Sequence, residues 1–496
     1  MRDIVDSYGK GMAPKDEFSL KFIPGLRINS TWTVTYLVES YRFVSVYCFL
    51  SNKAVGYPIA FFIFSIIKEE IMKKIVVVGG GWAGCAAAIS ARKAGAEVTV
   101  LERTDMLLGT GLVGGIMRNN GRYTATEEII AMGGGDLFEI CDKCSRHTNI
   151  EFPGHKHANL YDIAKTHGEV LRHMINLGIK VVFKARITKL HLAHERILDV
   201  QDENGNVFEA DVFIDTTGTA GPMNNCSKYG NGCAMCILRC PSFGGRVSIT
   251  GLANIKESMG KKADGSIGAM SGSCKLYKES LSEEIQKTLN EEGVAVIPLP
   301  KELIEDHLDV KACQQYALPQ FKDNIILLDT GHAKLMTPYY DLETLRKIPG
   351  FEDARYEDPY TGGKGNSMRY FAMAPRDNCL KVEGAENLFC AGEKAGLLVG
   401  HTEAIVTGTL AGLNSVRHSL GMELLELPDC LATGNAISYV KEKMSTPEGM
   451  SKKYTFSGSV YFERMKELGI YITDSAEIAK RVEECGVKDI FAAKLC

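Results

Sequence analysis

Three glycines at a fixed spacing constrain this chain more than any other feature. Gly79-x-Gly81-x-x-Gly84 follows a run of β-branched residues, Ile75 to Val78, and leads into an alanine-rich segment, Ala83 to Ala94. A strand that turns sharply into a helix is the first half of a right-handed βαβ unit, and Glu97 to Leu101 supplies the returning strand. Each glycine has its own reason. The first permits the tight turn, the second lets the backbone approach a pyrophosphate, and the third lets the helix lie close on the strand. Glu102, ending the second strand, is placed to accept ribose hydroxyls, and its charge disfavours a 2′-phosphate. These residues predict a dinucleotide site.

The remaining sequence alternates as an α/β fold requires. Tyr161 to Leu177 reads as a helix, Lys180 to Phe183, Asp211 to Asp215 and Asn387 to Ala391 as strands, and Thr402 to Arg417 as a second long helix. Residues 222–380, of mixed polarity and carrying cysteines, are expected to form an inserted α+β substrate domain. The expected organisation is 72–221 and 381–420 as two parts of the nucleotide domain, 222–380 inserted, and 421–496 as a helical C-terminal segment. Residues 1–71 are rich in aromatic residues and hold no periodicity. Because Met72 opens a strand of the kind that commonly begins such proteins, that extension is expected to lie outside the fold, with Met72 as the start.

Composition narrows the class. With 57 Lys and Arg against 61 Asp and Glu, the net charge is −4, so nucleic acid is not the expected partner and a small-molecule substrate or redox partner is. Fifteen cysteines in 496 residues are too sparse for a disulfide scaffold, no secretory signal opens the chain, and a cytoplasmic protein is expected. The longest apolar run, Ala54 to Ile67, contains Gly56 and Pro58 and falls short of the roughly 20 residues of a membrane helix.

Two later segments point to FAD as the dinucleotide. Asp211 to Gly221 (DVFIDTTGTAG) resembles the strand and Thr-Gly turn of two-dinucleotide-fold flavoproteins, and Asn387 to Gly396 (NLFCAGEKAG) resembles their late strand ending in Gly-Glu. That resemblance implies that Glu393 bonds the ribityl chain and that the helix after His401 aims its N-terminus at the flavin ring, whose negative charge it would stabilise. The expected cofactor contacts are Gly79, Gly81, Trp82, Ala83, Gly84, Glu102, Arg103, Gly109, Ile187, Thr217, Gly218, Gly392, Glu393 and Thr402.

Three stretches, VVVGGGWAGCAAA from Val76, NLFCAGEKAGLLVGHTEAIVTGTLAGLNSVR from Asn387 and LPDCLATGNAISYV from Leu427, resemble the glucose-inhibited division protein A family and the folate-dependent tRNA uridine methyltransferases, both FAD proteins. The middle of the chain matches poorly. Where the division-protein family carries a cysteine after the second strand, this chain reads Leu108 to Gly115 (LGTGLVGG). The long helical tRNA-binding extension of the larger relatives is not expected after Leu427. The expected function is therefore an FAD-dependent oxidoreductase carrying out two-electron chemistry on an unidentified substrate, with NAD(P)H as a candidate electron donor. The alternatives are a tRNA-uridine-modifying flavoenzyme and an iron–sulfur/FAD electron-relay subunit.

Cys226, Cys233, Cys236 and Cys240, followed by Pro241, carry the unresolved chemistry. Their spacing fits a 4Fe-4S cluster or zinc, a redox dithiol at Cys233 and Cys236, or buried small hydrophobes. Cys141 and Cys144 follow an apparent helix and read as structural. Arg369 and Arg376 are candidates for holding an anionic substrate or flavin charge, or are ordinary surface arginines. His401 is a candidate proton donor, or a helix cap or packing residue, and His332 either faces the active-site cleft or is an exposed loop residue. Val113 to Met117, with its paired glycines, either approaches the flavin or simply turns the chain.

Overall fold

The computed structural model describes residues 31–35, 45–49, 72–218, 240–261, 265, 269–270, 274–306, 308, 316–336, 341–357, 368–369 and 372–496. Two compact units separate at Met1–Ile71 and Met72–Cys496. In the first, Thr31–Thr35 and Ser45–Phe49 pair antiparallel, Thr31 opposite Phe49. In the second, the frame is a five-stranded parallel sheet.

Its strands are β1 (Lys74–Val78), β2 (Glu97–Glu102), β5 (Lys180–Phe183), β6 (Val212–Asp215) and β8 (Leu388–Cys390), in the order β8-β6-β1-β2-β5. The near-continuous apolar runs of β1 and β6 are what a parallel strand covered on both faces needs; all four residues of β6 are buried. Helix α1 (Trp82–Lys93) links β1 to β2, and helix α2 (Ile163–Asn176) precedes β5. On the long helix α3 (His401–Ser419), Gly408 and Gly412 face α1. A Cβ on Gly408 would sit 2.2 Å from the Ala83 carbonyl, and one on Gly412 2.3 Å from that of Ala87. The two helices therefore pack backbone to backbone, which the alanines of α1 also allow.

A second layer has its own core. Strand β7 (Asn324–Asp329) is central in a four-stranded antiparallel sheet with Cys274–Leu276, Ala333–Leu335 and Val294–Pro298. Its residues alternate between faces, as strand geometry demands. Ile325 and Leu327 share a core with Phe351 and with Ile285 and Leu289 of helix Glu283–Glu292, whereas Ile326 and Leu328 pack with Phe152, Ala158 and Leu160. Those last residues belong to β3 (Ser145–Phe152) and β4 (His155–Tyr161), an antiparallel pair. The pair was expected in the nucleotide part, yet its apolar face is buried against the inserted sheet.

The C-terminal segment is helical, with α4 (Ala432–Met444) and Ser475–Glu484 as its longest described helices. It is tied down by Glu128. This fully buried carboxylate accepts the amides of Ala432 and Thr433 at 2.9 Å each, closing the N-terminus of α4, and pairs with Arg481 at 3.0 Å. Burial pushes its pKa up despite those donors. Among the described residues, no helix is long and apolar enough to cross a membrane.

Candidate functional site

The C-terminal ends of β1, β2 and β6 open onto a narrow cleft of about 100 Å³. Of the residues expected to touch the cofactor, Gly79, Gly81, Glu102, Arg103, Gly109, Ile187, Thr217 and Gly218 line it together. This is the crevice beyond the strand ends where β1 has neighbours leading in opposite directions, the usual binding position of a doubly wound sheet.

The turn is built as its glycines require. Gly79 has φ +107°, and a Cβ there would meet the Thr216 carbonyl at 2.5 Å. At Gly84 a Cβ would come within 1.8 Å of the Gly79 carbonyl, so the first turn of α1 can press on the loop only without a side chain. Gly81 is different: no atom lies within 4 Å of where its Cβ would be. It is the N-cap of α1, which has no side-chain cap and no acidic residue in its first turn. A glycine cradle at the positive end of a helix, open on the side a phosphate would take, fits the pyrophosphate of FAD.

Glu102 shapes the same turn. Its Oε2 accepts the Gly80 amide at 2.7 Å, and its Oε1 accepts the amide and hydroxyl of Thr104 at 2.8 and 2.9 Å. Oε2, which accepts a single bond, keeps a further lone pair, so the ribose role expected for Glu102 is compatible with these bonds. Arg103 and Arg186 reach the carbonyls of Gly244 and Gly245 and narrow the mouth of the cleft.

Several contributors escaped the sequence reading. Thr216 donates its hydroxyl to the Val78 and Gly79 carbonyls at 2.9 and 2.7 Å, stapling β6 to the glycine turn. Asp215, fully buried, receives Thr217 through one oxygen, hydroxyl at 2.6 Å, and Thr250 through the other, hydroxyl at 2.8 Å. Arg246 and Val247 line the cleft from a segment over a hundred residues away from the fingerprint. The Thr-Thr-Gly of Thr216–Gly218 was the available signal for the first; nothing local marks the others.

The N-terminus of α3 forms a second focus. Glu403, in its first turn, is fully buried, accepts the Thr455 hydroxyl at 2.6 Å and the Phe456 amide at 2.8 Å, and pairs with Arg122 at 3.2 Å. That clamp fixes the helix end. His401 begins the helix rather than preceding it; its ring lies 6.1 Å from Trp82, and its Nδ1 is 3.5 Å from the Tyr161 hydroxyl. A Cβ on Gly114 would fall 2.0 Å from the imidazole, so the first of the paired glycines after Val113 admits this ring, whereas the second packs on Thr330. Thr402 is buried with its hydroxyl 3.8 Å from the Met117 sulfur. Gly392 donates its amide to Thr407 at 2.9 Å, and Glu393 lies beside it in a short turn, half-buried.

Other expectations fare differently. Arg376 is buried and not a surface or substrate arginine: its guanidinium donates to the carbonyls of Ala395, Ile437 and Asp377 at 2.8, 2.9 and 3.1 Å, so its donors are spent on holding the chain. This corrects its candidacy as a catalytic group. Arg369 lies in a two-residue strand, Met368–Arg369. His332, expected on an exposed loop, pairs with Glu357 at 2.8 Å and is largely shielded. Cys141 and Cys144 are buried thiols whose pKa burial pushes up. Cys226, Cys233 and Cys236 lie outside the described residues, and Cys240 opens the short helix Cys240–Phe243. Among the described residues no group of three or more His, Cys, Asp or Glu is arranged to hold a metal.

A doubly wound parallel sheet, a glycine cradle at its first helix and a terminal acid on its second strand define a dinucleotide-binding protein of the Rossmann type, the class to which FAD-binding proteins belong. The particular family follows from comparison with known proteins. Residues 74–326 and 331–423 match Glucose inhibited division protein A, and the chain belongs to that family. The solved structure of Aquifex aeolicus GidA (form II crystal) superposes with a TM-score of 0.61 at 16% identity, covering 84% of this chain and 74% of that one. The tRNA uridine 5-carboxymethylaminomethyl modification enzyme MnmG of Chlorobaculum tepidum is 32% identical over 111 residues, 22% of this chain and 17% of that protein. The methylenetetrahydrofolate–tRNA-(uracil-5-)-methyltransferase TrmFO of Bacillus pumilus is 30% identical over 149 residues, 29% of this chain and 31% of that protein. The matched stretches thus span less than a third of either curated relative.

These relatives correct the expectation that set nucleic acid aside, since both are named for tRNA. The inference from a net charge of −4 failed because a whole-chain sum says nothing about how charge is distributed over the surface. The iron–sulfur cluster and NAD(P)H gain no support from the same comparisons.

Proposed function

We propose that this protein is an FAD-dependent enzyme that modifies a uridine of tRNA. The observation that carries the reading is the glycine cradle over Gly81 in a chain whose curated relatives are named for tRNA uridine chemistry. In this reading Gly79, Gly81, Trp82, Ala83 and Gly84 receive the pyrophosphate, while Glu102, Arg103, Gly109, Ile187, Thr217 and Gly218 surround the nucleotide half. Gly392, Glu393 and Thr402 hold the flavin half. Bound there, FAD supplies two-electron redox chemistry. The clamped end of α3 directs its positive dipole at charge developing beyond it. His401, beside Gly114 and Tyr161, is the candidate proton donor. Arg369 is kept as a candidate anion contact. A cytoplasmic location accompanies a tRNA substrate.

The test is to load the full chain with FAD, supply unmodified tRNA transcript with methylenetetrahydrofolate as the one-carbon donor and a reduced nicotinamide as the reductant, with and without an amine donor, and analyse the digested nucleosides by mass spectrometry. A mass gain on uridine that requires both flavin and protein is expected. Turnover of flavin by small molecules with no change in any nucleoside would overturn the tRNA reading and leave a small-molecule oxidoreductase.

A further inference from the structure

A second cleft, of about 880 Å³, lies between α2, the end of helix Asp136–Lys143 and the start of β3. Its size falls within the range of ligand-binding clefts. Cationic side chains outnumber carboxylates in its lining. Lys143, Arg146, Lys165 and Arg172 line it, with His147 and His173, and Glu169 is the one carboxylate among the described lining residues.

The arrangement follows from the helix period. Ile163, Thr166, Val170 and Met174 bury one face of α2, which leaves Lys165, Glu169, Arg172 and His173 on the other. Lys165 and Arg172 are largely exposed, at 71% and 63% of the side chain, and Lys165 lies 3.7 Å from Asp162. Arg172 pairs with Glu169 at 2.5 Å, an exposed pair worth little and easily exchanged. On the opposite wall, Arg146 is held at 2.9 Å by the buried Asp329, which also anchors His147 at 3.0 Å. One wall is therefore fixed by a buried carboxylate, and the other carries exposed cations held only in pairs that a phosphate can displace.

We propose that this cleft grips the phosphodiester backbone of RNA. Seven residues along α2 separate Lys165 from Arg172 by about 10 Å of rise, further than one phosphate spans, so the site suits a chain of phosphates and not a single one. The described lining contains no Phe, Tyr or Trp on which bases could stack, which favours backbone contact over base reading. A concave wall also concentrates the field of its cations and draws polyanions to it. The choice of RNA over another polyanion rests on the proposed tRNA substrate; the cleft itself does not.

The test uses the flavin-loaded full chain and a triple variant, Lys143→Gln, Lys165→Gln and Arg172→Gln, which touches no residue of the flavin cleft. Binding of fluorescent tRNA transcript and of an unrelated RNA hairpin is measured by anisotropy between 50 and 200 mM salt. Each lost phosphate contact lowers the log–log salt slope by roughly 0.7 to 0.9, so the wild-type affinity should fall about 30-fold more steeply over that range than the variant's. Unchanged flavin content and melting temperature confirm that the variant is folded. Equal slopes and affinities for wild type and variant would overturn the cleft while leaving a tRNA substrate in place. Wild-type binding to both RNAs that the variant loses, without any uridine modification, would uphold the cleft and sink the tRNA reading. Failure of the wild type to bind either RNA, or loss in the variant of binding to a phosphopeptide but not to RNA, would overturn the proposal.

Discussion

Replacing Gly81 by alanine separates cofactor binding from folding. Gly81 has φ −70° and ψ −176°, an extended conformation open to any residue, and its Cβ would meet nothing within 4 Å. The flavin-free chain should therefore change in stability by less than about 1 kcal/mol, because the gain of about 0.4–1 kcal/mol from restricting the unfolded state is opposed by the preference of an N-cap for glycine over alanine. The same methyl group fills the space a pyrophosphate needs in order to reach the turn. Displacing the phosphate by a methyl radius forfeits at least one charge-assisted hydrogen bond, about 1.5–3 kcal/mol, which is roughly a 10- to 150-fold loss of affinity. Gly84→Ala is the contrast, since its Cβ would lie 1.8 Å from the Gly79 carbonyl. Overpacking of about 1–3 kcal/mol or more should destabilise that variant with or without flavin. The assay is thermal unfolding of flavin-free protein followed by titration with FAD. Native flavin affinity in Gly81→Ala, or a flavin-free melting temperature lowered as far as that of Gly84→Ala, would refute the reasoning.

Two further substitutions probe the frame. Arg376→Met removes the donors of three backbone carbonyls and should cost roughly 2–5 kcal/mol in denaturant unfolding while leaving the bound-flavin spectrum unchanged below the transition; lost turnover at undiminished stability would return Arg376 to the catalytic set. Asp329 is desolvated, which raises its pKa, but the bonds from Lys278, His147 and Arg146 outweigh this and hold the carboxyl below its ordinary range. Its stabilising contribution is thus present above the unfolded value, near 3.9, and is lost as pH falls through the depressed folded value. Asp329→Asn should destabilise the protein by about 1–3 kcal/mol at neutral pH, with the gap to wild type closing only in strong acid; a gap that is constant from neutrality to acid would show that the ion pairs contribute nothing.

The flavin frame was legible because its constraints are local. Gly79, Gly81 and Gly84 are read from spacing, and β1, α1 and β2 form within two residues of where periodicity put them, since the apolar pattern and the glycine turn that specify a βαβ unit are contiguous in sequence, although β6 and β5 complete its outer hydrogen bonds. Glu102 was legible as the end of its strand. The long helix was found to within two residues at each end, its start read as Thr402 and observed at His401.

What the sequence alone determined, then, is the nucleotide turn and the strands that hold it, because backbone sterics at three glycines dictate them whatever the rest of the chain does. Tertiary structure decided the rest. Arg376 looked like a free cation until three carbonyls, two of them from distant segments, closed on it, and Asp215, Thr250 and Arg246 meet at the cleft only through folding. The pair β3 and β4 is claimed by the inserted sheet because its apolar face matches Ile326 and Leu328, a match between residues far apart in sequence. The basic cleft is the same kind of fact: charges that cancel in a sum over the chain are gathered on one wall by the period of α2 and by the fold that lays β3 beside it.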